Sequence, residues 1–214
     1  MTDFDRSHHV YQSSDFDEII KDTIRFFNGT PIHPITLPQR FTGTGVYGIY
    51  CIAKYGLYRQ FHLINRTGFY VPIYIGKAVP KGWRQARQTS GITSQGCELY
   101  NRLQQHSRNI EDVEDLDRTD YFCRFMILEN RESDLIGTVE AALIRQYQPL
   151  WNTLIDGFGN HDPGKGRYQQ AKSDWDVCHP GRAWADKCQG VAANRDELHQ
   201  QIQSFLERLS LNDG

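Results

Sequence analysis

Two tyrosine-bearing apolar stretches, residues 46–53 and 70–75, constrain the fold most. They are rich in Val, Ile and Tyr, which favour a pleated backbone packed on its faces, so they read as paired strands. The first opens on Gly45-Val46-Tyr47 and the second closes on Tyr74-Ile75-Gly76-Lys77. Between them, Gly56 and residues 65–68 signal turns, and 58–64 is expected as an inserted strand. A buried strand is expected at 121–128. Apolar residues recur at helical spacing over 15–27, 98–109, 132–147 and 197–211. Pro31, Pro34 and Pro38 make an extended arm after the first helix, and Pro149 stops the third. Residues 78–96 and 152–166 are rich in turn formers and read as loops. This order predicts an α+β fold, a small central antiparallel sheet flanked by helices.

At 214 residues the chain suits one domain with extensions. We divide it into an N-terminal helix and arm (1–43), a core with inserted loops (44–155) and a C-terminal extension (156–214). No run of 18 apolar residues is present, so no membrane span is expected. Residues 1–10 are polar, unlike a secretory signal. Five cysteines without a C-x-x-C pair argue against a disulfide scaffold or structural zinc, and favour a reducing cytoplasm.

The net charge of −2 hides an uneven distribution. Residues 77–109 carry Lys77, Lys81, Arg84, Arg87, Arg102 and Arg108 against Glu98 alone, a net +5. Acids crowd the N-terminus and residues 111–117. A basic stretch beside acidic ones suits DNA binding; a solvated charged face is the plain alternative.

The side chains that stand out match one kind of chemistry. Hydrolysis of a phosphodiester needs a water stripped of a proton, a neutralised phosphate and a stabilised leaving oxygen, all in line. Glu140, inside an apolar helical run, can hold one hard divalent ion such as Mg²⁺ together with phosphate oxygens and waters. Arg102 can fork onto a phosphate. His106, one helical turn on, can take or relay a proton. Tyr47 or Tyr74 serves as a base only as phenolate or by immediate relay to His106. Taken singly, each has an ordinary structural role: tyrosines in strands are mostly core, and an i,i+4 Arg/His pair is mostly surface.

In order, Gly45-Val46-Tyr47, Tyr74-Ile75-Gly76-Lys77, Arg102-x3-His106, Glu140 and Asn152 resemble the successive motifs of the GIY-YIG nuclease superfamily. Gly48-Ile49-Tyr50 spells the name literally, but Gly45-Val46-Tyr47, with Ile49 two positions on, is the preferred counterpart. The resemblance spans roughly half the chain. It is most similar to a dimeric type II restriction endonuclease that cuts CCGCGG, with support from the tail 157–164 and from His179-Pro180-Gly181-Arg182. The resemblance implies Tyr47, Tyr74, Arg102, His106, Glu140 and Asn152 as catalytic residues. It also implies Mg²⁺ (or Mn²⁺) on Glu140, double-stranded DNA as partner, and a homodimer.

Residues 55–68 and 79–96 exceed the minimal core of such proteins, and insertions beside a generic catalytic core are where sequence readers are added. Guanines in the major groove are read by Arg or Lys. The candidates are Lys77, Lys81, Arg84, Arg87, Lys165, Arg167 and Arg182. Trp83, Tyr168, Trp175 and Trp184 are expected to pack rather than stack on bases. Two other functions fit the same residues: a structure-selective repair or homing nuclease, or a non-catalytic DNA-binding module.

Overall fold

The computed structural model describes residues 4–80, 82–83 and 96–211. After an exposed N-terminal arm, α1 (Phe16–Gly29) starts with Asp17 and Glu18 in its first turn, where carboxylates suit the helix dipole. A short strand, β1 (Ile32–Pro34), leads to β2 (Gly45–Cys51), α2 (Arg59–Asn65) and β3 (Tyr74–Ala78). Then come α3 (Glu98–Glu111), β4 (Tyr121–Ile127), α4 (Ile136–Tyr147) and the single turn α5 (Leu150–Thr153). The extension adds α6 (Asp174–Cys178) and α7 (Arg195–Leu211). No described helix is long and apolar enough to cross a membrane.

The four strands form one antiparallel sheet in the order β1-β4-β2-β3. Strand alternation divides the core in two. Tyr47, Ile49 and Cys51 face a cluster built with Leu99, Leu103, Trp151, Trp175 and Ile202 from α3, α5, α6 and α7. Val46 and Ile75 face the other side, with Phe27 from α1 and Val139 and Leu143 from α4. Each fully buried side chain of this kind contributes about 1.5–3 kcal/mol. With both faces covered, every residue of β2 is buried.

Two glycines set how closely the strands approach. Gly45 has φ +152°, and a Cβ there would strike the Met126 carbonyl. Gly76 is paired with Tyr47 across the sheet, and a Cβ at 76 would sit 2.6 Å from Tyr47 Cζ. The absence of a side chain at 76 lets the Tyr47 ring lie over β3.

Several expectations change. Residues 58–64 are not a strand: α2 occupies them, because Tyr58, Phe61 and Asn65 are the buried positions and step in threes and fours. The helix expected from 132 begins at Ile136, preceded by 3₁₀ turns over Asn130–Leu135. β3 runs later than expected, through Ala78. Within the C-terminal extension, Phe158, Trp175, Cys178 and Ile202 are fully buried.

Candidate active site

Tyr47, Tyr74, Arg102 and His106 come together where β2, β3 and α3 meet. The centre of the group is a hydrogen bond of 2.7 Å between the Tyr47 hydroxyl and His106 Nε2, both residues fully buried. Strand alternation puts Tyr74 and Tyr47 on one face, with ring centroids 6.3 Å apart. Tyr74 also meets His106 edge-on at 5.2 Å. Phe158, from the extension, stacks on the imidazole at 4.5 Å and 17° and meets the Tyr74 ring at 5.0 Å. Tyr50 points to the opposite face, buried beside Arg124 and Phe69. The structure thus brings Tyr47, and not Tyr50, to the arginine and the histidine.

Burial controls the protonation of this group. It pushes the Tyr47 phenol well above its usual range, the Tyr74 ring adds to that, and the Arg102 guanidinium partly offsets it. Tyr74 is raised by burial and lowered in part by Arg102. His106 is held well below the ordinary imidazole value by burial and by the positive charge of Arg102. At neutral pH the trio is therefore two phenols and a neutral imidazole. Among the described residues, His106 Nδ1 has no hydrogen-bond partner.

One turn of α3 before His106, Arg102 donates from Nη1 to Gln105 Oε1 at 2.8 Å and from Nη2 to the Gly159 carbonyl at 2.8 Å. A third contact joins Nη1 to His161 Nε2 at 2.7 Å. The carboxylate arrives from the far side of the sheet edge. Glu140 on α4 lies against edge strand β3, and its Oε2 accepts from Lys77 Nζ at 2.5 Å. Glu140 is close enough to raise both phenol pKa values. Among the described residues no three His, Cys, Asp or Glu side chains cluster as a metal cage. A metal here would have one protein carboxylate, the donor set that suits Mg²⁺ when phosphate oxygens and waters complete the shell.

Asn152 does not join this group. Its amide accepts from the Ile75 N–H at 2.7 Å and donates to the Ile75 carbonyl at 2.8 Å. Those are the outward-facing groups of an edge strand, so Asn152 fixes the strand that carries Tyr74, Gly76 and Lys77.

The DNA-reading candidates separate sharply. Lys165 and Arg167 are exposed on a short 3₁₀ turn. Lys77 is half-exposed but paired to Glu140. Lys81, Arg84 and Arg87 lie outside the described residues. Arg182 is not a reader: it is 2% exposed, bonds Asp176 Oδ1 at 2.6 Å and donates to the carbonyls of Gly157 and Phe158. Its guanidinium is stacked between Trp175 and Trp184 at 4.5 and 4.8 Å. A guanidinium so enclosed cannot reach a groove. Trp175 packs in the core as expected. Phe158, Gly159 and His161 are not among the expected site residues; they lie in the stretch read as a loop, and they reach this group.

A comparison with curated proteins gives no match. The family model described as the Eco29kI GIY-YIG domain matches residues 39–206, which include the core and most of the extension. The tyrosines, arginine, histidine and glutamate assembled above fall within that match, and the chain belongs to the Eco29kI family of GIY-YIG restriction endonucleases.

Proposed function

We propose that the protein is a type II restriction endonuclease that cuts both strands of a short palindromic GC-rich site, CCGCGG by resemblance. The observation that carries this reading is the buried Tyr47–His106 hydrogen bond beside Tyr74 and Arg102. A water attacks phosphorus and the P–O3′ bond breaks. The water's proton passes to the Tyr47 oxygen as the Tyr47 proton passes to His106 Nε2. With its pKa raised, Tyr47 is a relay and not a standing phenolate. The relay needs His106 in the tautomer that carries its proton on Nδ1. Arg102 neutralises the phosphate, and Tyr74 packs against the imidazole that receives the proton. Glu140 would hold Mg²⁺, or Mn²⁺ in its place, which supplies charge stabilisation to the departing oxygen. Lys77 holds one of the two Glu140 oxygens, Oε2, beside that site.

A palindrome is matched by a two-fold dimer. Phe27, Phe205 and Leu209 pack on the protein's own core. Phe26, at 61% exposure, and Tyr11, at 88%, remain available, with Phe16 and Ile19 on the same N-terminal segment. Plasmid DNA incubated with protein and Mg²⁺ tests the proposal: discrete linear fragments support it. Nicks confined to junctions or flaps favour a structure-selective nuclease, and tight binding without cleavage a DNA-binding module.

A further inference from the structure

One residue beyond Phe158, the chain of the extension turns to Arg102. Two of the guanidinium's contacts come from this segment, the Gly159 carbonyl and His161 Nε2. Gln105, one turn along α3, supplies the third, and its amide nitrogen also faces His161 Nδ1. A guanidinium can only donate. His161 Nε2 must therefore accept, which makes the ring neutral and places its proton on Nδ1. The amide of Gln105, as oriented, sets its NH₂ against that Nδ1–H. Turned over, it sets the NH₂ against Arg102 instead. In either orientation one N–H of this trio faces another donor. The group is exposed at His161 and carries a positive charge, which suits a phosphate.

We propose that His161 and Gln105 are positioning residues for Arg102, and that the C-terminal extension through them aims the guanidinium at the scissile phosphate. This rests on the reading of Arg102 as the phosphate ligand. An arginine side chain free in solution samples many rotamers. Three fixed contacts remove that freedom before DNA arrives, and misplacement of a catalytic group by about 1 Å costs on the order of 100-fold in rate. His161 is exposed, so it contributes little to the core, and its burial cannot account for a loss of activity.

The test is single-turnover cleavage of plasmid DNA with Mg²⁺ by the full chain, its His161→Ala, His161→Gln and Arg102→Ala variants, and the Arg102→Ala/His161→Ala double variant. DNA affinity and melting temperature are measured alongside. His161→Ala is expected to slow cleavage by about 10- to 100-fold with melting temperature unchanged and DNA affinity within about 3-fold. His161→Gln, which keeps an acceptor at similar reach, recovers most of the rate. In the Arg102→Ala background, loss of His161 costs nothing further, because its effect runs through the arginine. Full-rate cleavage by His161→Ala, no recovery with Gln, or an equal cost in both backgrounds would overturn the inference. If Arg102→Ala itself cuts at full rate, the phosphate role of Arg102 falls too. If Arg102→Ala is crippled and His161→Ala is not, only the positioning role falls.

Discussion

Tyr47 and His106 are 59 positions apart in sequence and share a buried hydrogen bond of 2.7 Å. A phenol and a neutral imidazole so paired can pass a proton without either being charged at rest. Tyr47→Phe removes the relay atom and leaves the packing. Its cleavage rate is expected to fall by about 100-fold or more, the scale of a lost general acid–base step. Tyr50→Phe, on the opposite face beside Arg124, is expected to stay within about 3-fold of the parent on the same order-of-magnitude scale. The comparison is read from initial rates on one plasmid; a dead Tyr50→Phe and an active Tyr47→Phe would reverse the assignment.

Glu140→Gln keeps the size of the side chain and removes the charge that would hold the metal and that pairs with Lys77. DNA binding measured by gel shift should be retained, and cleavage should be lost at every Mg²⁺ concentration. Substantial Mg²⁺-dependent cleavage by the variant at the Mg²⁺ concentration that serves the parent would take the carboxylate out of the metal role.

The buried imidazole also leaves a mark on stability. The pKa of His106 in the folded chain is held below the 6.5 of a free imidazole, so the unfolded chain takes up this proton first as pH falls. Its contribution is complete above pH 6.5 and is lost as pH drops from there towards the folded value, by at most about 1.4 kcal/mol per pH unit. Urea denaturation at pH 7.5 and 5.5 should show a steeper acid loss for the parent than for His106→Gln. Equal losses would mean that the imidazole is protonated as easily in the fold as outside it.

Arg182→Ala should damage the fold and not sequence choice. It leaves the Asp176 carboxylate, side chain 1% exposed, without its partner and empties the space between two indoles. Breaking a buried pair from one side costs about 3–5 kcal/mol. Thermal denaturation should show the loss, while whatever folded fraction remains cuts the same site; an unchanged melting temperature with relaxed site preference would restore Arg182 as a reader.

The strands and helices of the candidate site were legible because their signals are local. Tyr47 and Tyr74 lie in β-rich runs, and Arg102 and His106 are one helical turn apart. Alternation along β2 even separates Tyr47 from Tyr50. Three things were not legible. Residues 58–64 carry polar and apolar residues in an order that fits both periods, and only the packing of Phe61 and Asn65 selects the helix. Arg182 reads as a surface cation until Asp176 and the carbonyls of Gly157 and Phe158 are folded around it. Phe158 and His161 sit in a Gly- and Asp-rich segment that has no periodicity, so nothing local says that it returns to the active site.

The central claim is that this buried relay, with Arg102 and a carboxylate-held metal, makes a double-strand break at one sequence. The most direct measurement is cleavage of two short duplexes, one containing CCGCGG and one with those six base pairs scrambled, with Mg²⁺ present or chelated, and with both strands end-labelled. The account predicts that both strands of the CCGCGG duplex are cut at symmetric positions only when Mg²⁺ is present, with no nicked intermediate accumulating, and that the scrambled duplex stays intact. Equal cutting of both duplexes, or cutting that continues in chelator, would contradict it.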